Sequence, residues 1–356
     1  MFGADFSVSL PIIQAPMAGV QGSALAIAVS HAGGLGSLPC AMLSLDAMRD
    51  ELVKITAQTQ SNGRSLPYNV NFFCHAPPAP QAIRDKAWQE ALLPYYNQCG
   101  LQADAVTGGG RMPFSAEHAD VLEHFKPPVV SFHFGLPSSD LLARVRSWGS
   151  KIISSATTVE EAKWLTSQGV DAVIAQGVEA GGHRGIFLTD DPCGDIDKQM
   201  GTFALLPQIV RAIDIPVIAA GGIADAAGVR AAMTLGASAV QIGTAYLLCP
   251  EATTSKVHRA ALLGSLFGID PQVTALTNLF TGRPARGMVN RLMRELGSIN
   301  RVAPEFPLAT SAIAPLRAWA EAQGLGDFSP LWSGQNTSGC KAISAADLTR
   351  ELAQGL

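Results

Sequence analysis

The chain has 356 residues, of which 47% are hydrophobic and 15% charged, so it can bury a large core and is not intrinsically disordered. Its formal net charge of −4 argues against nucleic acid as the main partner. No apolar run is long enough to cross a membrane and no signal peptide is recognisable, which predicts a cytoplasmic protein. The six cysteines and seven histidines show no spacing typical of a disulfide framework or a metal site.

Short apolar or β-branched runs alternate with helical segments over the first 250 residues. Several of these runs are continuously apolar, as expected for parallel strands that are covered on both faces. Eight such runs predict an α/β fold, specifically a closed (β/α)8 TIM barrel; a doubly wound open sheet is the alternative. The predicted strands cover residues 11–16, 35–39, 68–73, 129–134, 151–155, 171–175, 215–220 and 239–244.

Two stretches do not fit a minimal barrel. Residues 74–128 make a long excursion with prolines at both ends, and a helical tail follows residue 250. We therefore predict that residues 1–73 and 129–250 form the barrel. Residues 74–128 would form an excursion or lid, and residues 251–356 a mainly helical segment that packs with it as a smaller helical domain.

A glycine-rich loop that carries a histidine follows the sixth predicted strand. Residues 176–185 read QGVEAGGHRG. Glycines let the backbone approach a ligand closely, and a histidine can change its protonation near neutral pH. Because loops at the C-terminal ends of barrel strands build active sites, we predict that His183 is catalytic. The alternative is a glycine-rich turn with an incidental exposed histidine.

The seventh and eighth predicted strands both end in glycines. Gly221 and Gly222 follow the seventh strand, and Gly243 and Thr244 follow the eighth. In TIM barrels the loops after these two strands, with a helix N-terminus nearby, commonly bind a phosphate group. The pair therefore predicts a phosphate site, although the same glycines could serve only as tight turns.

Three earlier strands also carry candidate ligand contacts. Met17 lies in a loop of small residues after the first strand, which suits the floor under a flat ring. Asn69 and Asn71 alternate on the third strand, so both amides could face the barrel mouth or could satisfy each other. His133 on the fourth strand is either a ligand contact or a satisfied core residue.

Six motifs, in this order, together resemble the nitronate monooxygenases, the FMN-dependent group once called 2-nitropropane dioxygenases, and specifically their class I. They are PIIQAPM at 11–17, NVNFFCH at 69–75, SFHFG at 131–135, QGVEAGGHRG at 176–185, AGGIAD at 220–225 and QIGT at 241–244. The resemblance covers roughly residues 10–290. The glycine-histidine motif is also close to that of flavin-dependent enoyl-acyl-carrier-protein reductases, but NVNFFCH favours the monooxygenase.

The resemblance implies a TIM barrel with a smaller helical domain, one non-covalent FMN at the barrel mouth, and His183 as the active-site histidine. Matching positions imply cofactor contacts, to which we add neighbouring loop residues. The predicted cofactor-binding residues are Ala15, Met17, Asn69, Gln176, Gly181, Gly182, Gly221, Gly222, Gln241, Ile242, Gly243 and Thr244.

The implied reaction is the oxidation of alkyl nitronates such as propionate 3-nitronate with O2. One electron passes to the flavin, and the products are a carbonyl compound and nitrite or nitrate. His183 could hold the nitronate as an imidazolium or deprotonate a nitroalkane as a neutral imidazole, and a preformed nitronate favours the first role. The alternatives are an NAD(P)H-dependent flavin reductase acting on quinones or enoyl thioesters, and a barrel that binds a phosphate ligand without turnover.

The chain departs from the family pattern at its tyrosines. Bacterial class I members carry pocket tyrosines in the excursion and in the C-terminal segment. This chain has four tyrosines, none of them in residues 106–111 or after residue 246. Substrate preference is therefore open, and we take His133 and Arg111 as candidate substrate contacts, with Arg301 as a further candidate for a substrate carboxylate. The oligomeric state is not readable, although a homodimer is compatible with the sequence.

Overall fold

The computed structural model describes residues 2–61, 64–79, 81–102 and 111–356. Pro80, and the part of the excursion from 103 to 110 where the family pattern would place a tyrosine, lie outside the described residues. Within the described part, no helix combines the length and the apolar character needed to span a membrane.

Eight parallel strands form one sheet that closes on itself. The strands are β1 Ile12–Gln14, β2 Gly36–Pro39, β3 Tyr68–Phe73, β4 Val129–His133, β5 Lys151–Ala156, β6 Ala172–Gln176, β7 Val217–Ala220 and β8 Ala239–Ile242. From β2 to β8 each strand pairs with the next one along the chain, and β8 pairs with β1. An isolated parallel bridge between Ile13 and Leu35 joins β1 to the chain just before β2. The predicted TIM barrel is confirmed, and all eight predicted strands overlap the observed ones.

Alternate residues of each strand belong to two different cores. Ile13, Ile153 and Ile218 pack together inside the barrel, whereas their strand neighbours, such as Ile12 and Ile152, pack under the surrounding helices. This follows from the two-residue period of a strand. Because both faces are buried, the strands read as continuously apolar runs.

Helices cover the outside of the barrel. They are Ser23–His31, Leu45–Thr59, Ala116–Phe125, Ser139–Ser147, Val159–Ser167, Thr202–Ala212 and Ala226–Thr234, with a short helix Phe2–Asp5 and 3-10 turns Ile196–Lys198 and Thr244–Leu248. The side chain of Thr158 caps one helix by accepting a hydrogen bond from Glu161 N, and Asp225 caps another through Gly228 N. Such caps satisfy backbone N–H groups that have no partner inside a helix.

A second hydrophobic core joins the excursion to the C-terminal segment. Trp88 and Tyr95 of helix Ala82–Cys99 pack with Ile313 and Leu316 of helix Ala309–Ala322. The remaining helices of this segment are Lys256–Leu262, Arg291–Leu296 and Ala345–Leu352. The packing fits the predicted smaller domain, whose boundaries stay a prediction. The final helix packs on the barrel, where Thr349 Oγ1 lies 2.8 Å from the Tyr246 hydroxyl, and we would place it with the barrel.

A small antiparallel sheet connects this segment to the glycine-rich loop. Its strands are Thr274–Thr277, Ala285–Met288 and Gly182–His183. His183 pairs with Ala285 and Gly182 with Arg286. A two-stranded pair, Gln60–Ser61 with Arg64–Ser65, lies outside both sheets. The C-terminal segment therefore reaches the C-terminal end of the barrel and holds the loop that carries His183.

Candidate active site

One cavity opens at the C-terminal ends of the barrel strands. It contains about 1330 Å³ of space that no protein atom occupies, counted out into the solvent at its mouth. His183, His133 and Arg111 line it. So do the predicted cofactor residues Ala15, Met17, Gln176, Gly181, Gly182, Gly221, Gly222, Gln241, Ile242, Gly243 and Thr244. The structure thus brings together every predicted site residue except Asn69 and the further candidate Arg301.

Asn69 lies deeper in the barrel than the cavity. Its side chain is fully buried, and its Nδ2 donates to Ser37 Oγ at 3.0 Å. Asn71 lines the cavity instead and donates to Ser131 Oγ at 2.9 Å. Both amides point to the same side of the strand, but two residues of rise, about 6.6 Å, separate their depths. Asn71 is therefore the amide of β3 that can contact a ligand.

Hydrogen bonds from side chains to the backbone hold the glycine-rich loop in place. The buried Arg184 guanidinium donates to Gln176 O at 2.8 Å and to Gly177 O at 2.6 Å. The Gln176 side chain donates to His183 O at 3.0 Å and accepts from Gly185 N at 2.8 Å. The loop is thus fixed at both ends, and the position of His183 with it.

Two glycines of this loop lie where a side chain would collide with its neighbours. A Cβ at Gly181 would lie 2.6 Å from Gly334 N, and one at Gly185 would lie 2.9 Å from the His133 ring. These distances are shorter than normal van der Waals contacts. The loop therefore packs directly against His133 on one side and against the C-terminal segment on the other.

Aromatic rings surround the His183 imidazole. The ring centroids of Phe73, Phe134, Phe306 and Trp332 lie 5.9, 5.9, 5.3 and 5.6 Å from it. Burial lowers the pKa of His183 well below its ordinary value. Nearby positive charges lower the pKa further, and Arg111 has the largest effect among them. The imidazole is therefore neutral at neutral pH.

The hydroxyl group of Thr281 indicates which nitrogen of His183 carries the proton. His183 Nε2 lies 3.0 Å from Thr281 Oγ1, and that hydroxyl donates to Arg283 O at 3.4 Å. With the hydroxyl proton directed to that carbonyl, the hydroxyl oxygen accepts from Nε2–H, and this is the tautomer that we assign. The lone pair of the neutral ring is then on Nδ1.

His133 supports the glycine-rich loop through a hydrogen bond to its backbone. Its Nε2 donates to His183 O at 3.2 Å, so its Nδ1 accepts from Ser155 Oγ at 2.9 Å. Burial lowers the pKa of His133 to about 3, which keeps the ring neutral. His133 is therefore a satisfied strand residue that also lines the cavity, and its contact with a ligand stays a prediction.

Arg111 brings a positive charge to the cavity wall. Its Nη1 donates to Thr310 Oγ1 at 2.9 Å, and its guanidinium carbon lies 5.7 Å from the centre of the Phe306 ring. Burial lowers its pKa to about 10, so it is still charged at neutral pH. Among the described residues no carboxylate pairs with it, whereas Arg301 is exposed, pairs with Asp191 and lies outside the cavity. Arg111 can therefore bind an anionic ligand.

A loop near the C-terminus closes the other end of the cavity. In this C-terminal loop (residues 333–340), Gly334 N donates to Thr244 Oγ1 at 2.9 Å, and Asn336 Nδ2 donates to Gly222 O at 3.0 Å. Gly334 and Asn336 themselves line the cavity. The predicted phosphate site is thus completed by residues that the sequence analysis did not single out.

Other cavity residues were also missed. Trp332 and His258 line the cavity, and Phe306 packs against the His183 ring. All lie in the C-terminal segment, where no glycine-rich motif marks them. For Trp332 and Phe306 the residue type offered a weak signal, because large aromatic side chains are usually buried.

Comparisons with known proteins agree with this geometry. The sequence profile of the nitronate monooxygenase family matches residues 3–355. A nitronate monooxygenase of Paraburkholderia phytofirmans is 40% identical over 98% of this chain and 93% of its own length. Among solved structures, nitroalkane oxidase from Streptomyces ansochromogenes has a TM-score of 0.85 at 38% identity, covering 97% of this chain and 95% of its own. FabK from Thermotoga maritima has a TM-score of 0.68 at 25% identity, covering 98% and 93%.

The family match and the cavity involve the same parts of the chain. The family match includes the barrel, the glycine-rich loop and the C-terminal loop that together build the cavity. The match extends over nearly the whole chain, and so does the relative with 40% identity. The chain belongs to the nitronate monooxygenase family of flavin-dependent oxidoreductases.

Proposed function

We propose that the cavity binds FMN and that the protein oxidises alkyl nitronates, such as propionate 3-nitronate, with O2 to a carbonyl compound and nitrite or nitrate. The observation that carries this proposal is that a neutral His183 and a charged Arg111 line the same cavity, and that Arg111 has no carboxylate partner among the described residues. The partners would be the small-molecule nitronate and O2. A cytoplasmic location and a homodimer stay predictions.

The cavity residues fit FMN. Gln241 Oε1 is buried at the cavity without a partner among the described residues, and it could accept a hydrogen bond from the flavin ring N–H. Gly222 and Gly243 leave room for a phosphate group close to the backbone. Met17 supplies a polarisable apolar surface for the ring. When bound, the flavin supplies the electron acceptor that protein side chains lack.

Two side chains would divide the work on the substrate. Arg111 would hold negative charge of the substrate, because it stays protonated and has no carboxylate partner among the described residues. His183 would accept a proton from a neutral nitroalkane, or a hydrogen bond, at Nδ1. The lowered pKa of His183 thus favours the neutral imidazole over the imidazolium that a preformed nitronate suggested from sequence alone. The aromatic side chains around it would exclude water.

The experiment that tests the proposed function is an anaerobic flavin spectrum of the purified protein. NADH is added to one sample and propionate 3-nitronate to another. Reduction of the flavin by the nitronate alone, followed by reoxidation with O2 and release of nitrite or nitrate, would support the monooxygenase. Full bleaching by NADH with no response to the nitronate would favour the reductase alternative.

Replacing Arg111 with glutamine should raise the KM for propionate 3-nitronate by about 10- to 100-fold, because a charge-assisted hydrogen bond is worth roughly 1.5–3 kcal/mol. The KM for ethyl nitronate, which has no carboxylate, should rise much less if Arg111 holds the carboxylate. The measurement is steady-state kinetics with both substrates. Arg301→Gln is the control, since Arg301 lies outside the cavity. Equal KM values for wild type and the Arg111 variant would contradict this assignment.

A further inference from the structure

A third histidine of the cavity has no role in the mechanism above. His258 lies on helix Lys256–Leu262, is 5% exposed and lines the cavity. Its sequence surroundings do not single it out. Its neighbours Val257 and Ala261 belong to an apolar cluster, so the helix buries one face and places the imidazole at the cavity wall.

The helix that carries His258 is firmly anchored. Ser255 caps it by accepting from His258 N at 3.2 Å. Arg259, the next residue, donates to Leu248 O and to Cys249 O, each at 2.8 Å. Leu248 ends the 3-10 turn that follows β8, and Cys249 comes directly after it. The ring of His258 is therefore fixed relative to the cavity.

The hydrogen bonds of His258 define its free nitrogen. Burial lowers the pKa of His258, and hydrogen bonding of the ring to the Trp332 carbonyl opposes that effect. Because Nε2 is buried and has no hydrogen-bond partner among the described residues, the nitrogen on the side of that carbonyl is Nδ1. A carbonyl only accepts, which puts the proton on Nδ1. Burial lowers the pKa of His258 to about 4, so the ring is neutral and Nε2 is an acceptor. Leaving such a buried atom unpaired is unfavourable.

We propose that His258 is a positioning residue of the active site whose Nε2 accepts a hydrogen bond from an N–H or O–H group of a ligand bound in the cavity. The inference rests on the proposed function. The donor belongs either to FMN, through its ring or ribityl chain, or to the substrate. Trp332 relates this residue to His183, because its carbonyl acts on the pKa of His258 and its ring centroid lies 5.6 Å from that of His183.

Two substitutions test the roles of the two ring nitrogens of His258 separately. Asparagine places an amide near Nδ1 and can keep the bond to Trp332, but it has no group at Nε2. Glutamine places its amide near Nε2. His31→Asn makes the same chemical change at an exposed histidine away from the cavity and serves as the control. Circular dichroism and thermal unfolding establish that each variant is folded.

The measurements are the Kd of FMN for the apoprotein, the flavin absorption maxima, and kcat and KM with propionate 3-nitronate. For His258→Asn we expect the Kd or the KM to rise about three- to tenfold with a smaller change in kcat, as for one lost hydrogen bond. Glutamine should restore most of the loss. A rise confined to the FMN Kd identifies the flavin as donor, and a rise confined to the KM identifies the substrate.

Values of both constants within about twofold of wild type in His258→Asn would overturn the proposal. If His258→Asn does not fold, His258→Gln is compared with His258→Met. Equal values of the FMN Kd and of the KM in these two variants would then overturn the proposal. If the wild-type protein does not turn over nitronates, the proposed function fails independently. The FMN titration then decides for His258, and an unchanged Kd overturns its role.

Discussion

Replacing His183 with asparagine should lower kcat by about 10²- to 10⁴-fold while FMN stays bound, because under the proposed function the imidazole acts on the substrate and does not hold the cofactor phosphate. If Nδ1 removes a proton, the loss should be larger with a neutral nitroalkane than with its preformed nitronate. The measurement is steady-state turnover of both substrates, together with the flavin content of the purified variant. Full activity in this variant would remove His183 from the mechanism.

The control for this variant is His124→Asn, which makes the same change at an exposed residue away from the cavity. The pH dependence adds a second readout. Because the pKa of His183 lies well below 6.5, its neutral form should persist as the pH falls from 8 to 6.5, and wild-type turnover of the nitroalkane should show no loss from His183 there. A loss of kcat with an apparent pKa near 6.5 that is absent in His183→Asn would contradict the neutral assignment.

Replacing Gly181 with alanine should weaken FMN binding at least tenfold and cost about 1–3 kcal/mol of unfolding free energy. The new Cβ would lie 2.6 Å from Gly334 N and 2.7 Å from Ser333 C, which are backbone atoms and cannot rotate away. The glycine-rich loop and the C-terminal loop would have to separate. FMN titration of the apoprotein and denaturant unfolding measure the two effects.

The matched control for this change is Gly100→Ala. Gly100 has a φ of +66°, and no described atom lies within 4 Å of the position that a Cβ would take there, so alanine meets backbone strain alone. Its cost should be about 1 kcal/mol, with FMN affinity unchanged. Wild-type FMN affinity in Gly181→Ala would show that the contact with Gly334 does not shape the cofactor site.

The barrel was predictable because each strand is a local pattern. Residues such as Ile12 and Ile13 face opposite cores, and both are apolar because both faces are covered. The glycines after β7 and β8 were predictable for a similar reason, since one short segment defines a turn. Depth inside the barrel was not predictable. The strand period gives the side on which Asn69 and Asn71 lie, whereas the height of the cavity floor depends on all eight strands.

The features of the site that the sequence did not predict depend on contacts between segments that are far apart in the chain. The pairing of His183 with Ala285 joins residues about a hundred positions apart, and no local pattern encodes it. The same holds for Trp332 and His258, which reach the cavity from the C-terminal segment. The charge state of His183 depends on Arg111 and on enclosure by the protein, so only the three-dimensional arrangement determines it.

The C-terminal loop also has a consequence for the order in which the protein matures. Gln335 N donates to Glu179 O at 3.0 Å, and its neighbours Gly334 and Asn336 bond Thr244 and Gly222. The ribosome synthesises residues 333–340 after all eight strands of the barrel, the last of which ends at Ile242. We therefore expect the nascent chain to form most of its barrel before it can retain a cofactor. FMN would then bind tightly only after the C-terminal loop has folded onto the barrel, so cofactor binding would be one of the last steps of folding.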